Sequence, residues 1–256
     1  MNAQVVAPAR GVRWLAEGWR LFRAAPLGWL ALVFGYWLAM TVLSLVPVLG
    51  LVAASLLVPA FSVGFMAASR AAALGQPIEL PMLFAGFRER LPAQVVLGAA
   101  YFIGLVAAVG GSMLADGGML ARWMLTGQPP ADAPEAADLY VAMGTAALLY
   151  APVMMLLWFS PLLVAWHAMA PVKALFYSFF ACWHNWRAFL AYGLAVGVVA
   201  FALPAGALLL LALFSGGAMR VSPMAMLLPL LLLLLPTLLA SFYASYRDVF
   251  GARPDA

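Results

Sequence analysis

The chain has 256 residues, of which 67% are hydrophobic and 9% charged, against roughly 45–50% apolar and about 25% charged in soluble domains. Those proportions exclude a soluble globular fold. Because a transmembrane helix takes about 20 apolar residues, the length is filled by six spans in one integral membrane domain, residues 1–256, with no appended soluble catalytic domain. The net charge of +4 bears on topology and not on a nucleic-acid partner, since in a membrane protein the placement of Lys and Arg matters more than their total.

The chain opens on GVRWLAEGWRLFRAAPLGWLAL, residues 11–32. On a helix of period 3.6, Val12, Leu15, Trp19 and Phe22 share one side while Arg10, Arg13, Glu17 and Arg20 gather on the other. A basic, aromatic helix of this kind is expected to lie on a membrane surface, with indole in the head-group layer and arginine stems along apolar surface. Trp14 and Trp19 are its expected anchors. Pro26 ends it and starts the first span, 27–46; after Pro47 the second, 48–69, follows with room only for a tight hairpin. Pro59 predicts a kink there, its freed carbonyl taken by Ser55 or a neighbouring helix. Residues 71–92 form a second interfacial element carrying Phe87, Arg88 and Arg90. In the third span, 93–115, Ala100, Gly104 and Ala108 recur at every fourth position, the spacing of a close helix contact.

Residues 116–138 make the one long polar loop, with MLARWML as a short interfacial helix. Asp116, Asp132, Glu135 and Asp138 read as a solvated acidic loop, because their Pro/Ala-rich surroundings lack the alternating Asp/Asn and Gly of a calcium loop. The fourth span, 139–166, exceeds a straight crossing and holds Pro152 and Pro161, so it should tilt or break. A third interfacial element, PVKALFYSFFACWHNWR at 171–187, offers Trp183 and Trp186 as anchors beside Arg187. The fifth span, 188–214, has Gly193 and Gly197 at close-packing spacing and Pro204 as a kink. The sixth, 223–246, is leucine-rich, contains Pro236 and precedes a short charged tail. The first run lacks a small-residue cleavage site and is read as a retained signal anchor. A lone Cys182 rules out an intrachain disulfide.

Eleven of the thirteen Lys and Arg residues fall on the side of the two termini, and Arg122 and Arg220 on the other. The positive-inside rule then puts both termini in the cytoplasm and the acidic loop outside. Gly18-Trp19-Arg20, Gly86-Phe87-Arg88 and Cys182-Trp183-His184 stand in register before three hairpins. Pro59 precedes Arg70 by the same eleven positions that separate Pro236 from Arg247, and Pro161 sits similarly in the fourth span. Fixed self-similarity marks repeat architecture. The expected fold is therefore an all-α polytopic membrane helical bundle, six transmembrane helices in three hairpin units around an approximate threefold axis, each unit preceded by an interfacial amphipathic helix.

WLAEGWRLFRAAPLGWLAL at the start, the six-span layout and the closing SFYASYRDVF resemble a family of six-span proteobacterial inner-membrane proteins. The layout is more distantly similar to the membrane domain of some glycerophosphodiester phosphodiesterases. The resemblance implies a plasma-membrane location and supplies no catalytic residues.

Between the expected span ends there is no Asp, Glu, Lys, Arg or His, which weakens ion-coupled transport. No Ser-His pair, paired aspartates or zinc motif lies within the spans. Cys182 and His184 make half a metal site whose other half no spacing supplies. Neither enzyme activity nor a cofactor or metal is expected. Two classes of function remain. One is a non-catalytic component that binds membrane lipid, anionic lipid above all, or organises a membrane-protein partner, with Arg13, Arg20, Arg23, Arg88, Arg90 and Arg187 as head-group ligands. The other is a small-molecule facilitator or transporter. A wide polar cavity would favour the transporter, a lipid-filled groove the lipid binder.

Overall fold

A computed structural model describes residues 3–46, 48–126, 136–214 and 223–251. Asp132, Glu135 and Arg220 lie outside the described residues. Helix α1 (Ala9–Ala24) leads through Ala25 into α2 (Pro26–Ser44), and α3 (Leu49–Ala73) follows. A 3-10 turn (Leu80–Phe84) and the single turn α4 (Ala85–Arg88) precede α5 (Leu91–Asp116), α6 (Met119–Thr126), α7 (Ala136–Leu157), α8 (Ser160–His167) and α9 (Pro171–His184). Helix α10 (Trp186–Gly197) passes through a π-helical turn (Val198–Ala202) into α11 (Leu203–Phe214), and α12 (Pro223–Phe250) comes last. No strand occurs among the described residues. Proline sets several starts: Pro26, Pro171 and Pro223 are the first residues of their helices, where the missing N–H has no intrahelical acceptor to lose.

Among the described residues six stretches are long and apolar enough to cross a membrane: Pro26–Ser44, Leu49–Ala73, Leu91–Asp116, Tyr140–His167, Trp186–Leu210 and Pro229–Phe250. These match the spans read from the sequence, with one change of consequence. Helix α12 runs past Tyr246 to Phe250, so Arg247 and Asp248 stand on a helix and not in a loose tail.

The chain divides into two compact units, one of Met1–Met40, Phe61–Ala85 and Ala181–Ala256, the other of Thr41–Ala60 and Gly86–Phe180. In the second unit α5 turns its small-residue face to α7: a Cβ on Gly104 would stand 2.6 Å from Val153 Cγ1, and one on Gly111 2.6 Å from Leu149 Cδ1. Ala108 on the same face is buried. Asp116 ends α5 as a local cap, accepting from the N–H groups of Gly118 and Leu120 at 2.8 and 3.0 Å, and α6 is the short helix expected in this loop.

The fourth span breaks at Trp158 and Phe159, two residues before Pro161. Pro161 has no N–H to offer the Leu157 carbonyl, and a serine from α9 enters the opening. The Ser178 hydroxyl accepts from the Phe159 N–H at 2.9 Å and donates to the Met155 carbonyl at 2.7 Å, taking the place of the direct bond an unbroken helix would make. Gln94 donates to the Pro161 carbonyl at 3.0 Å, while its Oε1 is buried without a hydrogen-bond partner. Pro59, Pro152 and Pro236 lie inside helices that continue through them. The Ser55 hydroxyl bonds Leu51 at 2.8 Å and so does not take up its own carbonyl, freed by Pro59.

Two expectations need correction. Gly193 and Gly197 meet no neighbour among the described residues: a Cβ on either would find none of their atoms within 4 Å. The element at 71–92 is also no amphipathic surface helix. From Gly75, at φ 70°, the chain turns back in an extended run, its backbone at Leu83 lying against Gly64 of α3. Only α1 and α9, of 16 and 14 residues, have the form expected of all three.

One echo is nonetheless exact in position. A Cβ on Gly18 would strike the carbonyl of Thr237, the residue after Pro236, and one on Gly86 the carbonyl of Ala60, the residue after Pro59. Each of these two elements docks on a proline-bearing outgoing helix through its small residue, leaving Arg20 and Arg88 exposed.

Candidate functional site

The site is built around α1 in the first unit. Gly11, Trp14, Leu15, Gly18, Leu21 and Phe22 form its buried face, which lies about a quarter-turn away from the apolar side expected to meet the membrane. Two glycines decide this. Gly11 approaches the backbone of Ala188 and Tyr192 in α10, and Gly18 approaches Thr237 and Ser241 in α12, so closely that no side chain fits at either position. Arg10 meets Asp248 while Gly18 meets Thr237, and so α1 runs antiparallel to α12 over about 16 Å at 1.5 Å per residue. It is docked along a helix, not laid flat across the surface.

Trp14, an expected membrane anchor, is fully enclosed at 0% exposure. Its ring lies 5.2 Å from Phe189 and 6.1 Å from Tyr192, and its Nε1 donates to Asp248 at 2.7 Å. Arg10 grips the same carboxylate with two bonds of 2.6 Å, Nε to Oδ2 and Nη2 to Oδ1. Arg247 donates to Glu17 at 2.5 Å, and Arg10 reaches Glu17 at 3.3 Å. The hydrogen bond to Asp248 holds the Arg10 guanidinium above its ordinary pKa despite partial burial. Tyr192 and Ser241, their hydroxyl oxygens 2.6 Å apart, tie α10 to α12 beside it. The N-terminal segment is fastened here as well: Asn185 accepts from the Val6 N–H at 2.8 Å and donates to the Gln4 carbonyl at 3.0 Å.

Next to this clamp lies an apolar groove of about 910 Å³, within the ~300–1,000 Å³ range of small-molecule sites. Helix α1 lines it with Val12, Leu15, Ala16 and Trp19; the fifth span with Ala195, Val198, Val199 and Pro204; and α12 with residues from Pro229 to Thr237. Pro204 explains the shape of one wall. It lacks an N–H and crowds the carbonyl four residues back, and the ladder slips to wider spacing across Val198–Ala202 just before it. Thr237, the one hydroxyl residue in the described lining, already donates to the Leu233 carbonyl at 2.7 Å.

The cations of α1 fall into two groups. Arg10 is neutralised by Asp248 and Glu17, whereas Arg13, Arg20 and Arg23 are exposed, with no ion pair among the described residues. Arg23 stacks over Trp19 at 5.5 Å, and Arg20 follows the groove residue Ala16 by one turn. Arg187 is exposed and stacks on Trp186 at 5.4 Å. Arg88 and Arg90, in the second unit, are exposed, and Arg90 takes a left-handed φ of 54° at the turn into α5. Trp19, Trp183 and Trp186 are 38%, 59% and 54% exposed and Phe87 is half-buried. Cys182 is buried and His184 exposed, and no group of three His, Cys, Asp or Glu side chains forms among the described residues.

The sequence reading had Glu17 facing solvent and Asp248 in the tail. The signal for the clamp was present nonetheless: Gly11 and Gly18 are two turns apart, and Glu17 and Asp248 are the sole carboxylates of α1 and α12.

A probable inner membrane protein of Burkholderia thailandensis is 38% identical over 255 residues, covering 97% of this chain and 93% of the relative. No family model and no solved structure matches. The more distant likeness to the phosphodiesterase membrane domain is without support from these comparisons.

Proposed function

This chain belongs to the same family as the probable inner membrane protein of Burkholderia thailandensis, and on that premise we propose that it is a non-catalytic, lipid-binding component of the inner membrane. The observation that carries the reading is the apolar groove, whose described lining holds only Thr237 and the Trp19 indole edge as polar groups and whose α1 wall carries arginines with no ion pair among the described residues. A solute path needs polar groups along its walls, whereas a lipid needs apolar walls and a cationic rim. In this reading Arg13, Arg20, Arg23, Arg88, Arg90 and Arg187 meet anionic head groups at the cytoplasmic face. Each basic residue near a negatively charged leaflet contributes on the order of 1 kcal/mol.

The test is native purification followed by mass spectrometry of the retained lipid. Phosphatidylglycerol and cardiolipin are expected above their share of the bulk membrane, and Arg20→Lys, Arg23→Lys and Arg88→Lys together should reduce that enrichment, because lysine keeps the charge but loses the guanidinium fork. Retained lipid of bulk composition would sink the reading.

The proposal includes a topology with both termini in the cytoplasm and 116–138 in the periplasm, supported by the charge bias. Alkaline phosphatase fused after Gly251 should be inactive and fused at Pro130 active; the reverse pattern would overturn the sidedness. A small-molecule facilitator is the second reading, favoured by the break in the fourth span beside the buried, unpartnered Gln94 Oε1. Discontinuous helices with unsatisfied polar groups are where transporters bind substrate.

A further inference from the structure

The groove and the exposed arginines Arg13, Arg20 and Arg23 are adjacent on one helix, and their order around it is informative. Taking 100° per residue, the buried face of α1 centres on Gly18 and Gly11, the groove residues Leu15, Trp19, Val12 and Ala16 come next, and Arg20 and Arg13 follow beyond them, while Arg23 falls between Val12 and Ala16 one turn past Trp19. The groove is thus bounded on one side by the helix contact, on the other by Arg20 and Arg13, and at the end beyond Trp19 by Arg23. Arg23 is held at that rim by its stacking on Trp19, itself a groove residue. Glu17, the one carboxylate of α1, is turned away from the rim to Arg247 and Arg10. No negative charge from α1 competes for the rim.

From this arrangement we infer that the groove between α1, the π-helical turn and α12 holds an acyl chain of one anionic phospholipid, with its phosphate on Arg20 and Arg23. The inference rests on the lipid-binding reading and deepens it. The groove extends along α12 between Thr237 and Pro229, about 12 Å at helical rise. Trp19 sits where the chain joins the head group, a position suited to a ring with one apolar body and one polar edge. Charge complementarity selects the occupant: a neutral apolar molecule would fill the groove and leave the arginines unused, and a free phosphate would use the arginines and leave the groove empty.

The full-length protein in phosphatidylcholine nanodiscs is exposed to trace phosphatidylglycerol carrying a diazirine in one acyl chain, and crosslinked residues are mapped by mass spectrometry. Crosslinks are expected at Ala16 and Trp19, at Val198 and Val199, and at Leu233 and Leu234. The same diazirine on phosphatidylcholine should give a lower yield at these positions. Arg20→Gln and Arg23→Gln should reduce the phosphatidylglycerol yield about fivefold each while leaving the phosphatidylcholine yield unchanged. Leu233→Trp, which fills the groove, should remove the crosslinks from α1; if that variant does not fold, the wild-type map and the arginine variants still decide. Crosslinks spread evenly over the apolar helix faces, or equal yields from the two probes, would overturn the inference. Enrichment of anionic lipid on purification would then still support the broader reading, whereas bulk-like retained lipid would remove both.

Discussion

Gly18→Ala is expected to destabilise the protein, although glycine inside a helix ordinarily costs about 0.5–1 kcal/mol relative to alanine. The added methyl has nowhere to go. Its carbon would overlap the Thr237 carbonyl and stand 2.9 Å from both the backbone nitrogen and Cβ of Ser241, and a main-chain obstacle cannot rotate aside as a side chain can. Overpacking of this kind costs about 1–3 kcal/mol, enough to outweigh the gain in helix propensity. Gly18→Leu should separate α1 from α12 altogether, expose the Trp14 ring and close the groove. Gly144→Ala provides the contrast, since a Cβ there meets nothing among the described residues within 4 Å and the propensity gain remains. Thermal unfolding in detergent, followed by circular dichroism, should place Gly144→Ala at or above wild type and Gly18→Ala below it. If the two alanine variants shift together, the close docking of α1 is wrong.

Asp248→Ala removes the acceptor shared by Arg10 and Trp14. The bidentate pair and the indole bond are lost together, and the Trp14 N–H is left without an acceptor in an enclosed ring. The side chains of the clamp are 14–29% exposed, so the loss should fall between the ~0.2–1 kcal/mol of an exposed ion pair and the ~3–5 kcal/mol of breaking a buried one. A value of about 2–3 kcal/mol is expected. Glu17→Gln should cost less, about 1 kcal/mol, because an amide oxygen still accepts from Arg247 while the charge assistance is lost. Arg20→Gln, at an exposed residue with no ion pair among the described residues, should stay within about 0.5 kcal/mol. Reversing the pair as Arg10→Asp with Asp248→Arg should recover part of the loss, and the double-mutant cycle measures the coupling. An Asp248→Ala variant as stable as Arg20→Gln would show that the clamp does not hold α1.

The membrane class, the six spans and most of their ends were legible in the sequence, because an uninterrupted apolar run in lipid has one stable form, the helix that satisfies its own backbone. The break near Pro161 was legible for the same kind of reason, a proline being unable to donate wherever it stands. The packing face read from Ala100, Gly104 and Ala108 meets α7 at Gly104, which lies against Val153, and Ala108 is buried. Gly193 and Gly197 carry the same spacing and were misread, since small residues permit a close approach without supplying a partner.

The six arginines proposed as head-group ligands were singled out from the basic and aromatic interfacial elements, but composition alone left Arg10 in the same class as Arg13 and Arg20. Only the tertiary structure separated them, by bringing Asp248 from the other end of the chain to Arg10 and Trp14. Periodicity put the apolar side of α1 on Val12, Leu15, Trp19 and Phe22, about a quarter-turn from the face that is buried. Gly11 and Gly18 chose the buried face, because a backbone without side chains is the one surface that two neighbouring helices can approach this closely. The groove followed from that choice. Its three walls come from residues near 16, 199 and 233, and no local pattern reports the space between segments so far apart in the chain.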